Sequence, residues 1–143
     1  MRFPSRLWLA GLLVATGVAH FVAPGFYERI VPRALGHARL LVHASGAAQV
    51  ASGVLLAVPR TRRVGGWAAA AVLVAVFPAN VQMALDGGLP GSDSPLASPA
   101  AAWLRLPLQV PLVWWAVREG ARTDAGRQAP VRRAGGTARP ARR

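Results

Sequence analysis

The stretch VGGWAAAAVLVAVFPANVQMAL, residues 64–85, decides the fold class of this chain because it contains no charged side chain. A hydrocarbon core about 30 Å thick is crossed by roughly 20 helical residues that each rise about 1.5 Å. Three other apolar stretches approach this length, from about Leu7 to Ala23, Arg39 to Val58 and Ala101 to Val117. Because lipid cannot hydrogen-bond the backbone, such stretches must be helical. The sequence therefore predicts an all-α fold, a four-helix transmembrane bundle.

The composition agrees with a membrane protein. Hydrophobic residues make up 53% of the chain and charged residues 15%, with a net charge of +12 and a mean hydropathy of +0.34. This is too apolar for an ordinary soluble domain. The chain has no cysteine, which excludes disulfides, thiolate metal sites and dithiol redox chemistry. Any redox role would need a bound cofactor or a partner.

Arginine placement predicts the topology, since basic loops stay on the cytoplasmic side. The turn 59–63 holds three arginines and should be cytoplasmic, as should residues 1–6 and the basic segment 118–143. Segment 118–143 lacks any apolar period and is predicted to be a disordered tail near anionic lipid rather than a nucleic-acid-binding arm. Loop 86–100 contains aspartates and no arginine, which fits the outer side of a bacterial inner membrane. Loop 24–38 fits less well because it carries two arginines besides one glutamate.

The first apolar stretch has an alternative interpretation. Arg2 and Arg6 precede an apolar run that ends near the small residues Gly17 and Ala19, as in a cleaved signal peptide. The run continues beyond these residues, however, and its removal would leave three spans. We therefore expect residues 7–117 to form one transmembrane domain.

Polar residues within the predicted spans share one depth. They lie near the outer ends, roughly 6 to 12 Å below the boundary by helical rise. A charged residue inside a span usually faces the bundle interior or water. Structural roles are the alternative: snorkelling for the arginine, packing for the histidines and interhelical bonding for the amides. The predicted ligand-binding residues are His20, His43, Asn80, Gln82, Arg105 and Gln109.

Three short motifs lie within the predicted spans and their loops. They are His20-Phe21 with Pro24 and Ile30-Val31-Pro32, then Phe77-Pro78-Ala79-Asn80-Val81-Gln82-Met83, and finally Arg105-Leu106-Pro107-Leu108-Gln109. Together they resemble the DoxX-like family of small bacterial membrane proteins. They occur in the expected order on the first, third and fourth spans, and the resemblance covers roughly residues 7–118. Segment 118–143 falls outside it.

The resemblance implies a four-helix transmembrane bundle and, less directly, a redox-associated role. Relatives include a subunit of a thiosulfate:quinone oxidoreductase, so a quinone ligand and a partner redox subunit are the expectations that follow. Family likeness supports function only by association. It leaves open whether the chain is an enzyme.

Two functions from different classes compete. In a quinone-linked subunit, His20 or His43 would bond one quinone carbonyl, the amides the other, and Arg105 an anionic form or substrate. In a non-catalytic scaffold or assembly partner, the same cluster would hold the bundle together. A small-solute transporter or channel is a weaker alternative, because four spans are few for alternating access, although a homo-oligomer could supply the rest. We expect no metal, since two histidines lack a third ligand, and no nucleic-acid partner.

Overall fold

Helices make up most of the chain that the structure describes. The computed structural model describes residues 5–89, 92 and 94–122, and this part contains helices, short turns and no strand. The all-α prediction is therefore confirmed for these residues. The helices are α1 (Ser5–Val22), α2 (Pro24–Glu28), α3 (Ala38–Ala57), α4 (Arg62–Ala75), α5 (Phe77–Leu85) and α6 (Pro99–Ala121), with 3-10 turns at Arg33–Leu35 and Pro95–Ala97.

Helix α6 runs to Ala121, into the first residues of the segment 118–143 that was predicted as a tail. Residues 123–143 lie outside the described residues, and so does the prediction of disorder for them.

Proline and serine set several helix boundaries. Pro78 is the second residue of α5 and has no N–H to continue the hydrogen-bond ladder from α4. The stretch predicted as the third span is therefore two helices separated at Val76. Ser98 caps α6 by accepting a hydrogen bond from the Ala101 N–H at 3.2 Å, and Pro99 occupies the first turn, where its missing N–H costs nothing.

Consecutive long helices pack against each other through glycine. Helix α1 packs on α3, α3 on α4, and α4 on α6, whereas α1 and α6 make few contacts. A Cβ atom built on Gly17 would lie 2.8 Å from the Gly46 carbonyl oxygen. One on Gly65 would meet the backbone of Leu56, and one on Gly66 the backbone of Gly120. Such positions let helix backbones touch, as small residues do between membrane helices.

Two apolar clusters lie at opposite ends of the bundle. The cluster nearer the turn 58–61, here called the turn end, consists of Leu9, Ala10, Leu13, Leu56, Ala69, Ala70 and Ala116. The second lies at the α2 end, which is formed by residues 24–37 and the connection between α5 and α6; it consists of Ile30, Met83, Ala84, Leu89, Ala97 and Ala102.

Two helical segments are long and apolar enough to cross a membrane. Helix α3 has 20 residues with a mean hydropathy of 1.5, and α4 with α5, Arg62–Leu85, has 24 residues with 1.8. The apolar part of α1, Arg6–Val22, is shorter. By length and composition, the described residues thus indicate membrane association through two helices. The predicted four-span bundle and its orientation stay predictions.

Candidate functional site

A cavity of about 840 Å³ lies between the helices toward the α2 end. Residues of α1 to α6 line it, and it lies between α1 and α6, which make few contacts with each other. Most of the wall is aliphatic, including Leu12, Leu41, Val72 and Leu108. Ligand pockets typically measure about 300–1,000 Å³ and combine apolar walls with a few polar groups. The cavity has the size and the wall of a small-molecule site.

The structure brings four of the predicted site residues to this cavity: His20, Asn80, Arg105 and Gln109. They come from α1, α5 and α6. Shared depth and the four-residue spacing of Arg105 and Gln109 are the sequence signals that place them together.

The other two predicted residues, His43 and Gln82, do not line the cavity. The His43 ring stacks on Phe21 with 5.4 Å between ring centroids. Gln82 donates a hydrogen bond to Asp86 Oδ1 at 2.9 Å in an exposed position. Two residues along a helix are about 200° apart, so Gln82 points away from the side on which Asn80 lies. Residues at the same predicted depth therefore do not all face the cavity.

A polar connection joins α1 to α3. His20 is buried, and its Nδ1 donates to the Thr16 carbonyl oxygen at 2.7 Å. Because a carbonyl oxygen only accepts, Nδ1 carries the proton and Nε2 of the neutral ring is an acceptor. The Thr16 hydroxyl lies 2.8 Å from Oε1 of the buried Gln49, to which it can donate. Thr16 and Gln49 also line the cavity.

Tyr27 is a cavity residue that the sequence analysis missed. Its ring stacks on His20 with 3.8 Å between centroids and 17° between ring planes. Burial raises the pKa of the Tyr27 phenol, and the positive charge of Arg105 opposes this shift. The phenol therefore stays protonated at neutral pH and is a donor, and it has no hydrogen-bond partner among the described residues. No periodic sequence signal pointed to Tyr27, because it lies on α2, beyond the end of α1 at Val22.

Arg105 brings a positive charge to the cavity wall. It donates to Met83 Sδ at 3.3 Å and to the Leu96 carbonyl oxygen at 2.9 Å. Both acceptors are neutral, and no acidic side chain in the described part of the chain forms an ion pair with Arg105. A guanidinium has five N–H donors, so some remain available for a ligand.

Asn80 and Gln109 form a closed pair where the helix breaks between α4 and α5. Asn80 Nδ2 donates to Gln109 Oε1 at 2.8 Å. Gln109 Nε2 donates to the carbonyl oxygen of Leu73, one turn before the break. The pair thus ties α4, α5 and α6 together. These bonds occupy the amide nitrogen of Asn80 and both the oxygen and the nitrogen of the Gln109 amide. Within the described residues, no group of three or more His, Cys, Asp or Glu side chains could hold a metal ion.

The fold and the cavity define a helical protein with two segments long and apolar enough to cross a membrane and a ligand-sized cavity lined by apolar and polar groups. Residues 9–119 match a family model described as a domain of unknown function, DUF8561. The chain belongs to that family. Searches of curated proteins and of solved structures find no match. Nothing in these comparisons concerns the DoxX-like resemblance, which stays a prediction.

Proposed function

We propose that this protein is an integral membrane protein whose cavity binds a lipophilic ligand of the quinone type. In this proposal α1, α3, α4 with α5, and α6 all span a bacterial inner membrane, as in the DoxX-like family, and the turn end is cytoplasmic. The carrying observation is the cavity of about 840 Å³, whose aliphatic walls meet polar groups at one end.

Helix length and surface chemistry support four spans. Helices α1 and α6 have 18 and 23 residues, which corresponds to about 27 and 35 Å of helix. Large apolar side chains on both point outward, with Trp8 69%, Val22 77% and Val110 70% exposed. Such surfaces need a covering in water and none in lipid. The basic turn 59–63 supports the cytoplasmic placement of this end.

The polar groups suit a quinone head. A quinone is a flat ring with two carbonyl oxygens that accept hydrogen bonds, and its isoprenoid tail would lie along the aliphatic wall. Tyr27 and Arg105 supply donors, and His20 Nε2 would accept a proton from the reduced form. With no cysteine in the chain, electrons would come from a partner subunit. The role is thus redox-associated, with no catalytic step assigned to this chain.

A cavity-filling variant tests the proposal. Ala48 and Ala51 both lie on α3, but only Ala48 lines the cavity, while Ala51 is exposed. Purified wild type and Ala51→Phe should melt at a higher temperature with decylubiquinone or a short-chain menaquinone. A ligand at 100 times its Kd raises the free energy of unfolding by about 2.7 kcal/mol. Ala48→Phe should lose this response. An unchanged melting temperature with every quinone, or a response that Ala48→Phe retains, would contradict the proposal.

A scaffold without a ligand is the second candidate, and one observation favours it. Asn80 bonds Gln109, and Thr16 lies in bonding distance of Gln49, so much of the polar cluster can satisfy itself across helices. Such bonds hold membrane helices together. In a scaffold, Tyr27→Phe and wild type would melt alike with and without quinone, and partner proteins would co-purify equally with both. A partner lost only from variants that destabilise the bundle would favour this candidate.

A further inference from the structure

Three polar groups of the cavity have unused bonding capacity. They are His20 Nε2, the Tyr27 hydroxyl and the remaining N–H groups of Arg105. Asn80 and Gln109, in contrast, are bonded to each other. The groups available to a ligand therefore come from α1, α2 and α6, on either side of the gap between α1 and α6.

Arg105 places a positive charge among these groups, and its neighbours are neutral. Arg105 is positive, and its partners, the Met83 thioether and the Leu96 carbonyl, carry no charge. The Tyr27 phenol beside it is neutral and donates. Beside walls that are mostly aliphatic, a cation whose partners among the described residues are all neutral favours an anionic ligand group. A neutral carbonyl would leave the charge uncompensated, whereas an ionised oxygen would neutralise it.

We infer that the ligand carries an ionised oxygen on its head, held by Arg105 and the Tyr27 hydroxyl, with its apolar body in the gap between α1 and α6. This inference rests on the proposed function, since it names the ligand class of the same cavity. Arginine donates two parallel N–H groups and therefore binds an acidic oxygen pair with good geometry. Two sources share this chemistry: the enolate of a hydroxyquinone and the carboxylate of a fatty acid.

Two ligand pairs, each matched except for charge, separate these sources. One pair is 2-hydroxy-3-decyl-1,4-naphthoquinone and its 2-methyl ether. The other is dodecanoate and methyl dodecanoate. Affinities are measured for the purified full chain in nanodiscs of zwitterionic phosphatidylcholine, with empty nanodiscs to subtract partitioning. The variants are Arg105→Gln, Arg105→Lys and, as the matched control, Arg118→Gln, an exposed arginine of the same helix that stacks on Trp114 outside the cavity.

Wild type and Arg118→Gln should bind the anionic member of at least one pair about 10- to 100-fold more tightly than the neutral member, as a charge-assisted hydrogen bond predicts. Arg105→Gln should reduce this ratio to nearly one while keeping the affinity for the neutral member, which shows that the variant is folded. Arg105→Lys should keep part of the preference because it keeps the charge.

The outcomes distinguish this inference from the proposed function. Equal affinity for both naphthoquinones, with no fatty-acid binding, would overturn the inference and leave quinone binding in place. Preference for dodecanoate with no quinone bound would support the anion site and contradict the quinone proposal. A charge preference that persists in Arg105→Gln would overturn the assignment to Arg105.

Discussion

The Asn80–Gln109 pair offers a quantitative test of how much interhelical hydrogen bonds stabilise the bundle around the cavity. Gln109→Leu removes the acceptor that lies 2.8 Å from Asn80 Nδ2 and the donor to the Leu73 carbonyl oxygen. Both lost bonds join different helices, and leucine keeps a similar volume. The change therefore isolates polar contacts rather than packing.

The expected cost follows from the two bonds. Interhelical hydrogen bonds in membrane proteins average about 0.6 kcal/mol and reach about 1.7 kcal/mol. Two such bonds give about 1.2 kcal/mol, and a buried carbonyl left without a donor adds about 1 kcal/mol or more. We therefore expect Gln109→Leu to lower the free energy of unfolding by about 2 kcal/mol. Asn80→Ala, which removes one of the bonds, should cost about 1 kcal/mol.

The assay is unfolding by sodium dodecyl sulfate in mixed micelles, followed by helical circular dichroism. The double variant should lose less than the sum of the single variants by about 0.6–1.7 kcal/mol, because both remove the same Asn80–Gln109 bond. Gln82→Ala is the control. Its bond to Asp86 is exposed, so it should change stability by less than about 0.5 kcal/mol. A coupling below about 0.3 kcal/mol would refute the contribution assigned to this pair.

Other predictions concern helix contact, a buried charge and the phenol. Gly65→Ala should lower the free energy of unfolding by about 1–3 kcal/mol, because its Cβ would meet the Leu56 backbone. Gly11→Ala, whose Cβ would meet nothing within 4 Å, should change the free energy of unfolding by less than about 0.5 kcal/mol in the same assay. Glu119→Gln should lower the free energy of unfolding by about 1.5–3 kcal/mol, since this carboxylate is 1% exposed and 2.9 Å from an arginine. Glu28→Gln, whose ion pair is 3.8 Å long and more exposed, should lower it by less than about 1 kcal/mol. Equal losses of stability in the two variants would contradict this prediction. Tyr27 is the one tyrosine of the chain, and its pKa is raised, so phenolate absorbance should grow in only at a higher pH than for free tyrosine; growth at or below that pH would show that the ring is not buried.

Apolar length and proline determined much of what the sequence could predict. The four predicted spans coincide with α1, α3, α4 with α5, and α6 to within a few residues, because an apolar run bounded by charge or proline leaves little choice of helix ends. The interruption at Pro78 was equally predictable, since proline has no N–H.

The direction in which each polar side chain points around its helix axis was harder to predict than its depth along the helix. His20, Asn80, Arg105 and Gln109 reach one cavity, as equal depth suggested. His43 has the same depth and lies elsewhere, because helix rotation depends on packing that no single helix encodes. Such rotation is set by neighbouring helices, here through glycine contacts like that of Gly17 with Gly46.

Tyr27 was missed for a related reason. It follows the end of α1 at Val22 and belongs to the short helix α2, in a region that the sequence marked only as a loop. Its ring reaches His20 because α2 folds back over the end of the bundle. A residue brought to a site by the path of a loop has no periodic signal.

The packing order of the helices also bears on how the chain is made. Each long helix finds its partner in the long helix synthesised just before it: α3 on α1, α4 on α3, and α6 on α4. During synthesis, the glycine contacts between these helices can therefore form as soon as the next helix is made, without waiting for distant sequence. Only the meeting of the first helix with the last lacks such close contact. The cavity lies along this seam, so the candidate ligand site is completed last, where the first and last long helices make few contacts.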